Sequence, residues 1–256
     1  MMSKFSHIPE RDVLKNTRYK YVKVNGVEKC VETLWFDRPK FNPTKATPEK
    51  QITKNRNDTK PTEEAQELNR IRSIKRARQS AFDYVLCTEA LDTFVTLTLD
   101  KEVIDRYDYD VIIKKFNSWL DNSVRRRGLM YVLVPEFHKD GAIHFHGFMN
   151  SEVLKLVDSG VKKGEQAIYN IGIYPFGFST GIVLDNSTDC RIKVSKYIWK
   201  YINKNVNSAP IGGRYYLHGG KLQKPRFEYD NKLCDEIEGD MFSIGGCVVK
   251  LARQNL

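Results

Sequence analysis

The side chains whose types and spacing could do chemistry lie in two short stretches. The first is Ala142-Ile143-His144-Phe145-His146-Gly147. Read as a strand, its alternation sends His144 and His146 to one face and Ile143 and Phe145 into the core. Two imidazoles about 7 Å apart at their Cα atoms can converge on one ion. If Lys139-Asp140-Gly141 is a three-residue hairpin loop with Gly141 left-handed, Glu136 on the preceding strand sits opposite His144 and shares its face. Two imidazoles and one carboxylate leave open positions on a divalent ion for substrate oxygens; the set suits Mn²⁺ and tolerates Mg²⁺. The competing reading is a pair of histidines satisfied by hydrogen bonds on an exposed sheet face. His138 falls on the hairpin loop and is expected to be exposed.

The second stretch is Val194-Ser195-Lys196-Tyr197-Ile198-Trp199-Lys200-Tyr201-Ile202-Asn203-Lys204. On a helix Tyr197 and Tyr201 share a face, and Lys200 and Lys204 follow each by three residues. A tyrosine stripe at helical spacing is by itself a packing pattern. Here Ile198 and Ile202 already supply a separate apolar stripe, and each tyrosine has its own lysine. A free phenol is roughly one part in a thousand phenolate at pH 7. A neighbouring cation favours that charged form, which a tyrosine nucleophile needs.

The elements that must position these residues follow from hydrophobic periodicity. Residues 19–36 alternate around Asn25-Gly26, a hairpin signal. Residues 37–62, with four prolines and many polar residues, read as a linker or mobile loop. Residues 63–82 are helix-prone, with Leu68, Ile71, Ile74 and Ala77 on one stripe and Arg70, Arg72, Lys75, Arg76 and Arg78 around it. Phe94–Leu99 alternates as a strand. Residues 109–127 have helical spacing and stop at Gly128. Strands at 129–136 and 142–149, a short helix near 151–158, a strand near 178–185, a helix over 191–205 and a strand near 214–218 complete the reading. This order predicts an α+β fold, an antiparallel sheet with helices packed on it. The expected division is a basic N-terminal extension, 1–82, and a catalytic domain, 83–256.

Charge points to the partner. The 256 residues carry 42 Lys+Arg against 32 Asp+Glu, a net +10. Residues 1–80 hold 19 basic and 10 acidic residues, whereas 83–110 hold 8 acids and 2 bases, and 191–226 hold 9 bases and no acid. Such segregation suits a polyanion met by one face and an N-terminal arm. Five scattered cysteines without a Cys-x-x-Cys argue against a disulfide framework or a cysteine-rich zinc module. No apolar run has membrane-spanning length and the start lacks a signal-peptide core, so no membrane partner and a cytoplasmic location are expected.

Phe94-Val95-Thr96-Leu97-Thr98, Glu136 with His144-Phe145-His146, and Tyr197-x-x-x-Tyr201-x-x-Lys204 together resemble the three ordered motifs of HUH endonucleases that initiate rolling-circle replication. The two-tyrosine form is most similar to initiators of single-stranded-DNA bacteriophages and related plasmids. The resemblance covers about residues 90–220 and implies a ferredoxin-like or RRM-like core. It implies Mg²⁺ or Mn²⁺ on Glu136, His144 and His146, and a tyrosine attack leaving a 5′-phosphotyrosine and a free 3′-OH. Tyr201, with Lys204, is expected to cleave first, and Tyr197, with Lys200, to transfer strands. Thr96 and Thr98 are assigned support or DNA contact; Arg191, Lys193, Lys196, Arg214, Arg72, Lys75 and Arg76 are assigned to DNA. The implied partners are single-stranded DNA or an origin hairpin, a host polymerase and a host helicase. Gly219-Gly220-Lys221-Leu222 lacks the upstream Gly and the Ser/Thr of a phosphate loop, so no helicase is built in. A transposase, a relaxase, a non-catalytic DNA-binding protein and an unrelated metallohydrolase are the alternatives.

Overall fold

The computed structural model of the chain describes residues 14–43, 62–138, 140–185, 187–204, 214–244 and 246–253, with the backbone alone at Thr188, Asp189, Trp199, Asn203 and Lys204. In chain order the elements are β1 Thr17–Val24, β2 Val27–Phe36, α1 Glu63–Cys87, β3 Thr93–Thr98, α2 Tyr109–Arg127, β4 Tyr131–Phe137 and β5 Ile143–Met149. Then follow β6 Leu156–Lys163, β7 Gln166–Ile171, β8 Ser179–Val183, α3 Thr188–Lys204, β9 Leu217–Gly219, β10 Arg226–Asp230, β11 Asp240–Ile244 and β12 Cys247–Arg253. The fold is α+β, as expected.

Two compact units divide the chain elsewhere than at residue 82. One contains the described residues of Met1–Lys23, Val27–Lys60 and Pro225–Leu256; the other contains Val24–Gly26 and those of Pro61–Lys224. The first is a five-stranded sheet in the order β10-β1-β2-β12-β11. The expected hairpin is present, with Asn25 (φ 52°) and Gly26 (φ 78°) both left-handed at its turn, as a two-residue type I′ connection requires. Three strands after residue 224 join it, with Tyr19 opposite Glu228 and Trp35 opposite Lys250. Those C-terminal strands are an addition to the sequence reading, although Gly245-Gly246 between Ile244 and Cys247 is a turn signal of the same kind. The segment read as a linker falls mostly outside the described residues.

The second unit is built on a seven-stranded sheet, β6-β7-β8-β3-β5-β4-β9, whose pairings are antiparallel. Period-two alternation divides its faces. Val95, Leu97, Leu133, Ile143 and Phe145 point to the side where α2 lays Ile112, Phe116 and Leu120. The ring of Phe116 stacks on Phe145 with centroids 4.0 Å apart. On the other side Val132, Val134 and Phe148 meet Ile74, Ala81, Tyr84 and Val85 of α1 and Ile198, Tyr201 and Ile202 of α3. Asp108 caps α2 by accepting from Val111 N, and Gly128 (φ 74°) ends it. Helix α1 runs five residues past its expected end because Tyr84, Val85, Leu86 and Cys87 are buried there, whereas Leu68 and Ile71 of the predicted stripe are exposed.

One expected element is absent. In place of a helix over 151–158 there is a single 3-10 turn, Ser151–Val153, and the chain then enters the β6–β7 hairpin. Strand β6 buries neither face and is bulged between Asp158 and Val161, so its sequence lacks the alternation that marks a half-buried strand.

Gly147 lies in β5 opposite Val95 of β3 and Leu133 of β4. A Cβ there would run into the Val132 carbonyl oxygen and stand 2.8 Å from Leu133 Cα. Both obstacles are backbone, so relief requires the strands to part. Gly147→Ala should cost about 3 kcal/mol, a fall in Tm of roughly 6–12 °C in a thermal melt. An unchanged Tm would contradict the stated packing.

Candidate active site

The β4–β5 hairpin closes as its sequence requires. His138 N donates to Ala142 O at 2.8 Å and Gly141 N to His138 O at 3.0 Å, and Gly141 is left-handed, with φ 88°. The resulting register sets Glu136 opposite His144 and Val134 opposite His146. On the other flank β3 sets Thr98 opposite His144 and Thr96 opposite His146. Glu136, His144, His146, Thr96 and Thr98 therefore share one face of three adjacent strands.

The hydrogen bonds on that face explain the threonines. Thr96 Oγ1 lies 3.1 Å from His146 Nδ1, and Thr98 Oγ1 lies 3.1 Å from His144 Nδ1. Each hydroxyl holds one ring nitrogen and aims Nε2 outward, which makes both residues supports for the histidines. Glu136 faces His144 in register, yet its carboxylate reaches the diagonal neighbour: Oε2 is 2.8 Å from His146 Nε2. Burial, followed by His138 and His146, pushes the His144 imidazole down from 6.5 to about 4. His138 is exposed, as expected, but its ring sits 3.7 Å from that of His144.

Helix α3 brings the tyrosines to the same face. Ile198 and Ile202 are fully buried, and this fixes the helix rotation so that Tyr201 turns inward. Its ring stacks on His146 with centroids 4.4 Å apart and planes at 15°. Tyr201 Oη donates to Tyr197 Oη at 3.1 Å. Tyr201 is 6% exposed and Tyr197 41%. Phe94, on β3 two residues before Thr96, lies edge-on to Tyr197 at 5.5 Å and stacks near Tyr201. Its place on the Thr96 face was readable from the alternation; its role as a wall for both phenols was not. The expected lysine effect takes another form. Lys200 Nζ lies 5.3 Å from the centre of the Tyr197 ring, and burial, then the hydrogen bond to Tyr197, pushes the Tyr201 phenol upward. The Lys204 side chain lies outside the described residues.

Of the residues assigned to DNA, one is placed otherwise. Arg191 is 2% exposed, and its guanidinium donates to the carbonyls of Val85, Thr88 and Glu89 at 2.7, 2.6 and 3.1 Å. It ties the start of α3 to the end of α1, where carbonyls lack helical partners, so it is not a phosphate contact. Lys193, Lys196 and Arg214 are exposed, as are Arg72, Lys75 and Arg76 on α1. The first 13 residues of the basic arm lie outside the described residues.

Residues 92–206 match the model of the replication-associated protein ORF2 family. That stretch runs from just before β3 to the end of α3 and holds every side chain of the cluster. The match supports a Rep-type replication initiator. Neither a curated protein nor a solved structure matches the chain. No helix among the described residues is long and apolar enough to cross a membrane.

A Rep-type site would have to accept a divalent ion, and the donor types present fit one. Among the described residues no three His, Cys, Asp or Glu side chains already form a closed metal cage, because Glu136 is engaged with His146 Nε2. Exchanging that hydrogen bond for ligation frees one carboxylate and one imidazole together. A threonine hydroxyl can donate to Nδ1 or accept from it, so it holds each ring in either tautomer.

Two outcomes test this geometry. Arg191→Ala should cost about 3 kcal/mol in chemical denaturation, the scale of lost hydrogen bonds to a buried charged group, while leaving the salt dependence of DNA affinity unchanged; a flattened salt slope would mark Arg191 as a phosphate contact. His144, with its folded-state value depressed to about 4, should remain neutral well below pH 6.5 in an NMR titration of the metal-free protein. Its contribution to stability is complete above the unfolded value of 6.5 and is lost as pH falls towards 4. A His144 midpoint near 6.5 would contradict the burial argument.

Proposed function

We propose that the protein initiates rolling-circle DNA replication as a divalent-ion-dependent, site-specific single-strand endonuclease and ligase with a tyrosine nucleophile. The observation that carries this reading is the Tyr201 ring stacked 4.4 Å from His146, within the cluster that includes His144 and Glu136. In this account Glu136, His144 and His146 hold Mg²⁺ or Mn²⁺, which when bound polarises the scissile phosphate. Thr96 and Thr98 keep the two imidazoles in position. Lys193, Lys196 and Arg214 on one side, and Arg72, Lys75 and Arg76 on α1, draw the strand in through its phosphates.

Tyr201 Oη attacks phosphorus. The Oη–P bond forms and the P–O3′ bond breaks, leaving the 5′ end of the DNA on the tyrosine. The departing 3′ oxygen takes up a proton and becomes the 3′-OH from which a host polymerase extends. Burial keeps Tyr201 protonated in the free protein, so its proton leaves during the attack. Tyr197 Oη, the acceptor of the Tyr201 hydrogen bond at 3.1 Å, is placed to receive it. Tyr197, nearer to solvent and beside Lys200, then attacks in the second cleavage, and reversal of the first reaction closes the displaced strand. Unwinding falls to a host helicase.

The test is a covalent-adduct assay with Mn²⁺ and a randomised single-stranded oligonucleotide pool. Removing the phenol oxygen while keeping the ring separates chemistry from packing. Tyr201→Phe should abolish the adduct, whereas Tyr197→Phe should still form it and fail to complete replication rounds. Adducts from both single variants, lost only in the double variant, would contradict the order of attack. Undiminished cleavage by the wild type in chelator would contradict the ion's role.

A further inference from the structure

Phe178 immediately precedes β8 and is 73% exposed, the highest exposure of any large apolar side chain among the described residues. Isolated exposed apolar residues are ordinary on protein surfaces. This one is not on a loose segment. Its carbonyl accepts from Thr98 N at 2.8 Å, and the carbonyl of Phe176 accepts from Asp100 N at 2.8 Å. Gly177 between them has φ +143°, and a Cβ on it would stand 2.5 Å from Asp100 N and 2.6 Å from Thr98 O, so the backbone is held tightly against β3. Next in sequence, Ser179 is buried and its Oγ accepts from Ile171 N at 2.9 Å. The fold fixes the backbone on both sides and leaves the ring in water.

The register says what lies beside it. Strand β8 pairs with β3 so that Thr96 faces Thr180 and Leu97 faces Ser179. One position further places Phe178 opposite Thr98, on the Thr98 face. Glu136, His144, Thr98 and Phe178 thus form one row across β4, β5, β3 and the start of β8. Asp100 and Glu102 follow β3 directly, and their carboxylates disfavour a phosphate at this end of the row. An uncharged π face remains as the group this ring can take, and every nucleobase presents one.

We propose that Phe178 is the stacking platform for a nucleobase of the single-stranded DNA, close to the phosphate held over Glu136 and His144. The inference rests on the proposed function and adds the side chain that grips the strand by a base. Stacking restrains the nucleotide next to the cleavage point, so Phe178 is a positioning residue for in-line attack. Because every base has a π face, the contact is tolerant of sequence.

Affinity is read by fluorescence anisotropy with a labelled oligothymidine and with an abasic strand of equal length. Phe178→Ala and Phe178→Leu should each weaken oligothymidine binding by about 5- to 150-fold, and Phe178→Trp should restore it. The deficit should vanish on the abasic strand, and the salt slope should stay as in the wild type, because no charge is removed. Equal affinities of wild type and Phe178→Ala for oligothymidine would overturn the inference, as would a Leu variant that binds like the wild type, since that points to simple apolar contact. Intact DNA binding joined to loss of self-association would assign the ring to a protein interface and also overturn it. A wild type that neither binds single strands nor forms an adduct overturns the proposed function as well, which separates the two failures.

Discussion

Three adjacent antiparallel strands must keep one register for this site to exist. The pairings Thr96–His146, Thr98–His144 and Glu136–His144 put all five side chains on one face because side chains alternate along each strand. A slip of one residue in β5 would send His144 and His146 into the α2 core and bring Ile143 and Phe145 out to the site. The opposite face resists such a slip, since Phe145 is fully buried against Phe116 and Leu97 and Ile143 lie in the same core. Gly147 tightens the constraint, because only a residue without a side chain lets β5 lie this close to the Val132 carbonyl. Core packing on one side of the sheet thereby sets the position of the chemistry on the other.

The electrostatics describe a resting state. Burial holds His144 neutral and the Tyr201 phenol protonated, and Glu136 is occupied with His146 Nε2. A neutral imidazole is the form that ligates a metal ion, and a protonated phenol is unreactive until a phosphate and a cation approach it. The cluster is thus poised for an ion and a substrate together. The same burial that raises the phenol locks its ring against His146, and positional certainty is what an in-line displacement requires.

Much of the second unit was legible from alternation and capping. The β4–β5 hairpin follows from Gly141, the end of α2 from Gly128, and the inward turn of Tyr201 from Ile198 and Ile202. Contacts between side chains distant in sequence were not legible. Arg191 carries the same charge as Lys193 and Lys196, and only the fold shows that it ends up among the last carbonyls of α1. The start of β6 reads as helix because the strand buries neither face, so the tertiary pairing with β7 overrides a weak local signal. The hairpin loop alone places Glu136 opposite His144, but its diagonal reach to His146 depends on rotamers that the register leaves open. The sheet shared by β1, β2 and the C-terminal strands joins residues some 200 positions apart, a separation at which periodicity carries no information about pairing.

The account stands on one face of the sheet accepting a divalent ion between β4 and β5. Paramagnetic line broadening by Mn²⁺, followed residue by residue in the NMR spectrum of the intact chain, tests this most directly. The account predicts that substoichiometric Mn²⁺ erases the signals of Glu136, His144, His146, Thr96, Thr98 and Tyr201 while leaving Phe116 and Phe145 on the opposite face sharper. Broadening centred elsewhere, or none at concentrations that support cleavage, would contradict it.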